Sequence, residues 1–427
     1  MTPNMSTTKA PVDSRWRRGF WCLMATQFQG AFSDNLLKQL VIFLVMARGL
    51  PKQQLDHLVS DAGMYFALPF LIFSPAGGWM ADRFSKRSVM RGVKSAELII
   101  MLFAAAALAT GRLPMQLTSI CLMGVHSAFF AASKYGSLPE IVPPEKLSWA
   151  NGIIEMLTFL AAILATLAAG LLAMVFKDQP IWPGMILLGL SLAGWLASMG
   201  ITRLRAADPA KPFAWNFAAG LWREFRWMRL DRDLWRANLG NTAFFFIAVL
   251  IQMNLLLYAD HVLKVDALQN SGLQVALALG MAAGSFLAGK LSHERIEYGI
   301  IPFGAGVLAL SALALGWPNL PQPVFLAALF TLGIGGGMFI VPIAAVLQQR
   351  PPADRKGSVQ GAASWLSWVG ISFAALLQKE LSLTFGLTPG QIFWFCAVSA
   401  ALAGGFVAWS RPRALPDFLG RCFTNLG

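Results

Sequence analysis

"GGWMADRFSKR", residues 77–87, packs two glycines, one acid and three cations into eleven residues. An apolar run leads into it, and Gly77 and Gly78 leave no side chain to hold a neighbouring helix away. An acid, Asp82, and three cations, Arg83, Lys86 and Arg87, then follow closely. The spacing reads as the end of one membrane helix, a short basic loop and the start of the next. Two readings stand side by side. One is a plain cationic loop. The other is a gate, in which Asp82 caps a helix N-terminus or pairs with an arginine in one state and lets go in another. Gly78, Asp82, Arg83 and Arg87 are its candidate residues.

Outward from that loop the chain is apolar. Of its 427 residues 56% are hydrophobic and 13% charged, where a soluble protein has about 25% charged. Stretches long enough to cross a bilayer recur twelve times: 20–46, 62–81, 93–110, 114–136, 148–175, 181–201, 237–258, 270–290, 299–316, 322–346, 358–377 and 389–409. The fold class is an all-α membrane protein of 12 transmembrane helices in two six-helix halves. The expected division is an N-terminal tail 1–19, a first bundle 20–201, a central loop 202–236, a second bundle 237–409 and a tail 410–427. Trp215, Trp222, Trp227 and Trp235 interleave with arginines in the central loop, the pattern of an amphipathic helix at a membrane surface.

Charge sets the orientation. With both termini on one side, that side collects 27 Lys and Arg against 6 opposite, and Lys38 lies within the first span. This bias puts both termini in the cytoplasm. It also explains the net charge of +13 without nucleic acid. The four cysteines, Cys22, Cys121, Cys396 and Cys422, lie in or beside apolar runs with no CxxC spacing. They read as small apolar residues, so neither a disulfide framework nor a metal site is expected, and no cofactor. The first apolar run lacks a cleavage pattern and is expected to be a retained span. "GSFLAGKLSHER" (284–295) faintly echoes 77–87, as expected of a parallel repeat. That echo and the loop spacing together resemble the major facilitator superfamily.

The first span is unusual. "QGAFSDNLLKQL" (29–40) puts Asp34, Asn35 and Lys38 in mid-membrane, at a cost of at least about 2.5–3.5 kcal/mol per charge. Gln27, Gly30 or Ala31, Asp34 and Lys38 share a helix face, and Asp34 and Lys38, one turn apart, are placed to neutralise each other. One reading is a structural pair that fixes packing; the other is a polar stripe facing a central cavity. Lys134 near the end of span 4, and Asn151 with Glu155 opening span 5, bring further charge to the first half. For Glu155 the bland alternative is a carboxylate favoured by the helix start. The second half offers mainly neutral groups: Asn238, Asn241, Gln252, Asn254, Gln360, Ser364 and Ser367. A cavity charged on one wall suits an amphiphile whose headgroup lies against that wall. The candidate substrate residues are Asp34, Asn35, Lys38, Lys134, Asn151, Glu155 and Gln252.

"AFSDNLLKQL", "ASKYGSLPEIVP", "ANGIIEMLTFLA", "GSFLAGKLSHERIEYGIIPFG" and "GGGMFIVPIAAVLQQRPPADRKGSV" resemble a branch of that superfamily, the bacterial lysophospholipid transporters (LplT). The transporter half of their fusions with acyltransferases is included. The resemblance runs over residues 20 to 410. It implies flipping of lysophosphatidylethanolamine and its relatives from the outer to the inner leaflet of the inner membrane, for re-acylation. It implies roles for Asp34, Asn35, Lys134, Asn151 and Glu155. Ser133 and Ser137 depart from the branch's usual proline and bulky aliphatic. The expected partners are the lysophospholipid, membrane lipids and a lysophospholipid acyltransferase, with the chain itself a monomer. The tail 411–427 resembles the linker that leads into the acyltransferase of the fused members. His261 and Asp266 have an acyltransferase spacing but no second motif, so no enzyme is expected. Rival readings are a proton-coupled exporter of drugs or small amphiphilic metabolites, with Asp34 or Glu155 as proton site; a sugar or organic-acid permease; and a platform for an acyltransferase.

Overall fold

The computed structural model describes residues 16–46, 52–213, 215–265, 267–292 and 295–424. Among them there are helices and no strands. The first group is α1 (Trp16–Met46), α2 (Lys52–Arg83), α3 (Lys86–Thr110), α4 (Leu113–Ile141), α5 (Leu147–Val175) and α6 (Ile181–Met199). A short helix, α7 (Phe217–Met228), leads to the second group: α8 (Arg232–Tyr258), α9 (Ala267–Leu291), α10 (Ile300–Leu315), α11 (Gln322–Gln349), α12 (Lys356–Leu383) and α13 (Pro389–Ser410). A last helix, α14 (Ala414–Thr424), ends the described chain.

Local chemistry sets the helix ends. Gly111 takes φ 65° and closes α3 in the left-handed region that glycine tolerates best. Asp231 accepts the amides of Asp233 and Leu234 at the start of α8. Burial alone would raise its carboxyl; the Leu234 amide and Arg350 pull it below the usual range. Thr388 and Gln391 form a reciprocal capping box on α13.

Among the described residues ten helices are long and apolar enough to cross a membrane. The two other bundle members depart from the simple pattern. α1 is long, but its polar residues dilute it. α10 is apolar, but only 16 residues long.

Six helix pairings build the first bundle: α2 with α4, α3 with α4, α3 with α6, and α1 with α4, α5 and α6. The second bundle repeats them as α9 with α11, α10 with α11, α10 with α13, and α8 with α11, α12 and α13. The contacts between bundles are also symmetric: α2 with α12 matches α5 with α9, and α4 with α12 matches α5 with α11. The faint sequence echo is therefore a full structural repeat. Its histidine and acid, His293 and Glu294, lie outside the described residues, as do Asp266 and the side chain of Cys422.

The central segment forms an amphipathic helix, as its tryptophans suggest. Leu221 and Met228 of α7 are buried, while Trp222 is 58% exposed. The tail is docked: Phe418 of α14 packs in the core of the second bundle.

Candidate functional site

The loop 77–87 lies on a seam between bundles. A β-carbon at Gly78 would sit 2.8 Å from the Gly357 carbonyl of α12, so only glycine permits the contact. Asp82 then reaches the first turn of α12. Its Oδ1 accepts the Gly357 amide at 2.6 Å. Its Oδ2 accepts the Ser358 amide at 2.9 Å and hydroxyl at 2.7 Å. This is the helix cap that the spacing suggests, a negative charge at the positive end of a helix dipole. The cationic partner is Lys211 of the central segment, 2.7 Å from Oδ2, and not an arginine. Arg83 donates to the Lys211 carbonyl, and Arg87 to the Met199 carbonyl at 2.8 Å. Both arginines therefore brace the first bundle and its connecting segment without touching the second bundle through these bonds. Lys86 pairs with Glu140 of the α4 motif at 2.7 Å.

The repeat supplies a second seam. Gly152 of α5 faces Ser285 and Gly289 of α9 as closely as Gly78 faces α12. Beside it Asn151 and Gln348 of α11 exchange amide hydrogen bonds at 2.9 and 2.7 Å. Both are at most 1% exposed. Asn151, expected at the substrate, is committed to this closure.

Inward of the seams is a cavity of about 200 Å³, lined by groups from both bundles, among them Glu155, Tyr135, Gln348, Gln360, Ser364 and Trp368. Glu155 Oε1 accepts the Tyr135 hydroxyl at 2.9 Å. Lys134 is 7% exposed, and its ammonium lies 4.0 Å from the centre of the Tyr135 ring. No carboxylate among the described residues is within ion-pair distance of it, yet Glu155 and Asp34 both act on it electrostatically. On the second-bundle side Asn241 donates to Ser367 at 2.7 Å, and Trp368 stacks on Phe70 at 4.3 Å.

The pairing expected within α1 does not form. Asp34 accepts the Ser127 hydroxyl of α4 at 2.6 Å, and Lys38 lies over the Phe66 ring at 5.5 Å. Neighbouring helices compete for both groups and win. Asn35 turns back to the Ala31 carbonyl at 2.8 Å. Gln27 bonds Thr158 at 3.0 Å. Gln252 is exposed on α8 and is not among the residues lining the cavity. His261, exposed, pairs loosely with Asp260 at 3.6 Å.

A buried charge cluster escapes the sequence reading altogether. Lys94 and Glu97 of α3 pair at 2.6 Å and are fully buried. Gln29 of α1 bonds both, at 2.6 and 2.9 Å. Ser191 of α6 donates to Glu97 at 2.9 Å, and His126 of α4 is 3.1 Å from it. One signal was available: Lys94 and Glu97 are three apart and so share a helix face. The charge count assigns Lys94 to the basic loop instead.

Two pseudo-symmetric six-helix bundles with a cavity between them are the architecture of a membrane transporter. The chain belongs to the Major Facilitator Superfamily, whose family model matches residues 41–375. It is 28% identical over 425 residues to the lysophospholipid transporter LplT of Cronobacter sakazakii (strain ATCC BAA-894), covering 96% of this chain and all of that one. LplT of Escherichia coli O1:K1 / APEC is 29% identical over 354 residues, 81% of this chain and 84% of its own. Among solved structures, the human organic anion transporter MFSD10 (TETRAN) superposes with a TM-score of 0.76 at 16% identity, covering 92% of this chain and 99% of that one. FucP in the outward conformation gives 0.70 at 15% identity, covering 91% and 98%. These two likenesses speak for the fold.

Proposed function

We propose that this chain is a flippase that carries lysophospholipids of the lysophosphatidylethanolamine kind from the outer to the inner leaflet of the bacterial inner membrane for re-acylation. The observation that carries the reading is Lys134. It is a buried cation with no ion pair among the described residues, and two carboxylates, Asp34 and Glu155, act on it electrostatically. Among the described residues each carboxylate accepts one side-chain hydrogen bond, from a neutral hydroxyl, of Ser127 and Tyr135. A zwitterion completes such a set, its phosphate against Lys134 and its ammonium against Asp34 or Glu155. The acyl chain stays in lipid or in an apolar groove. The relatives named as lysophospholipid transporters support the substrate class.

All twelve bundle helices cross the membrane in this reading. The Lys and Arg bias assigns the seam end to the cytoplasm. The arrangement is then the one closed on the inside by the Asp82 cap and the Asn151–Gln348 pair, and transport requires both to part. The released lipid passes to a lysophospholipid acyltransferase.

The experiment is inward flipping of a fluorescent lysophosphatidylethanolamine in liposomes holding this chain alone, beside Asp34→Asn and Lys134→Ala. Flipping by the wild type that collapses in both variants, with folding intact, is the expected result. No flipping by the wild type rejects the lipid reading and turns attention to proton-coupled export.

A further inference from the structure

The proposed function leaves unused a row of polar groups that starts at Asp34 and runs into the first bundle. The Ser127 hydroxyl donates to Asp34 Oδ2 at 2.6 Å. On its other side the same hydroxyl is 3.3 Å from His126 Nδ1. His126 Nε2 is 3.1 Å from Glu97 Oε2, a close but bent contact. Glu97 ends the row, held by Lys94, Gln29 and Ser191. His126 is 5% exposed, Lys94 and Glu97 not at all. Asp34 Oδ1 is buried with no hydrogen-bond partner among the described residues.

We propose that this row is a proton-binding site that exchanges one proton for the cationic headgroup group at Asp34. Lys94 and Glu97 cancel each other's charge, so the net charge of the row is set by His126 and Asp34. A proton has two seats there. Held on the imidazole, it leaves Asp34 a carboxylate. To move, His126 gives its Nδ1 proton to the Ser127 oxygen while Ser127 gives its own proton to the carboxylate. Imidazolium and carboxylate become neutral imidazole and neutral acid. One proton has shifted, and no further reactant is needed. With its proton the buried row is neutral, and an ammonium at Asp34 would leave it with an unbalanced positive charge; its arrival therefore expels the proton, and its departure readmits one.

The charged surroundings fit that task. α1 presents Asp34 and Lys38, and Lys38 is drawn off over Phe66 of α2. α3 presents Lys94 and Glu97. α4 adds Lys134, α5 adds Glu155, tied to Tyr135, and α6 adds Ser191. α12 brings Trp368, stacked with Phe70 of α2. Gln29, bonded to both members of the Lys94–Glu97 pair, already ties α1 to α3 without a histidine. His126 adds the one side-chain type whose ordinary charge change falls near neutral pH.

The identity of the cation rests on the proposed function; the proton site itself does not. Its test is histidine-selective NMR of the full chain in lipid nanodiscs. The chain has 4 histidines, and the signal missing from His126→Gln identifies His126. The midpoint of that imidazole's protonation is expected to move in Asp34→Asn and again on adding lysophosphatidylethanolamine. Flipping by the wild type is expected to depend on pH, and flipping by His126→Gln is expected to lose that dependence. An imidazole that never changes protonation, or whose midpoint ignores Asp34→Asn, overturns the proton site whether or not lipid is flipped. An imidazole coupled to Asp34 but blind to the lipid, in a chain that flips it, overturns the exchange. Failure of the wild type to flip lipid rejects the proposed function, and the Asp34→Asn comparison still decides the proton site.

Discussion

The two bundles share one set of helix pairings and differ in what they bury. The first encloses Lys94, Glu97, Lys134 and Glu155, each at most 7% exposed. The second buries neutral amides and hydroxyls in its interior: Asn238, Asn254, Ser311, Ser367 and Gln378. Its buried acid, Glu297, lies at the edge with Arg421 and Arg295. Its main ionic network, Arg350 and Arg411 on Asp233, is near the basic end and partly exposed. The comparison teaches that the six-helix arrangement needs no interior charge. Burying ions costs several kcal/mol each unless they are paired and hydrogen-bonded, and the second bundle reaches the same packing without them. The charges of the first bundle are therefore chemistry laid over a fold that does not require them.

The sharpest way to break this contrast is to unpair the cluster. Glu97→Ala strands Lys94 in the interior, with an expected cost of about 3–5 kcal/mol, read as a lower thermal midpoint in detergent. Replacing both, Lys94→Met with Glu97→Leu, is expected to recover most of that loss. If the double variant remains as unstable as the single one, the first bundle does need its charges.

The seams, which belong to both bundles, come next. Gly78→Val drives a side chain into the Gly357 carbonyl and is expected to weaken closure by about 1–3 kcal/mol. In a cysteine-free background a cysteine at position 358 then reacts faster with a water-soluble thiol reagent; unchanged labelling means that this contact does not hold the seam. Asn151→Ala leaves the Gln348 amide buried without its partner, at about 1–3 kcal/mol. Asn151→Leu combined with Gln348→Leu is expected to cost less. A double-mutant cycle on the unfolding free energy checks this, and additivity would mean that the two amides do not act as a pair.

The smallest effect is outside the bundles. Burial pushes the Glu224 carboxyl of α7 above its usual range, by more than Arg355 and Lys211 pull it down. Docked α7 therefore holds a proton more tightly than the free segment. Its docking strengthens as pH falls, and that contribution is lost as pH rises through the docked carboxyl's value. Hydrogen exchange over 217–228, corrected for intrinsic rates and compared at about pH 5.5 and about pH 8, is expected to show more protection in acid. Glu224→Gln is expected to remove the difference.

The sequence by itself determined a membrane protein of apolar helices, its central amphipathic segment, and the residues of its first seam. Those properties are local: the length of an apolar run, the alternation of tryptophan and arginine, a glycine four residues before an acid. It also pointed to Asp34, Lys134 and Glu155, because a charge in an apolar run stands out wherever the run ends up. Tertiary structure decided who holds whom. Asp34 and Lys38 share a helix face, yet Ser127 and Phe66, from other helices, take them. Asn151 reads like a lining residue until α11 brings Gln348 to it. Lys94 reads like part of a basic loop until α1, α4 and α6 close over it. Each of these outcomes is a competition between a neighbour along the chain and one across it. Helical spacing specifies only the first, and packing in three dimensions chooses the winner.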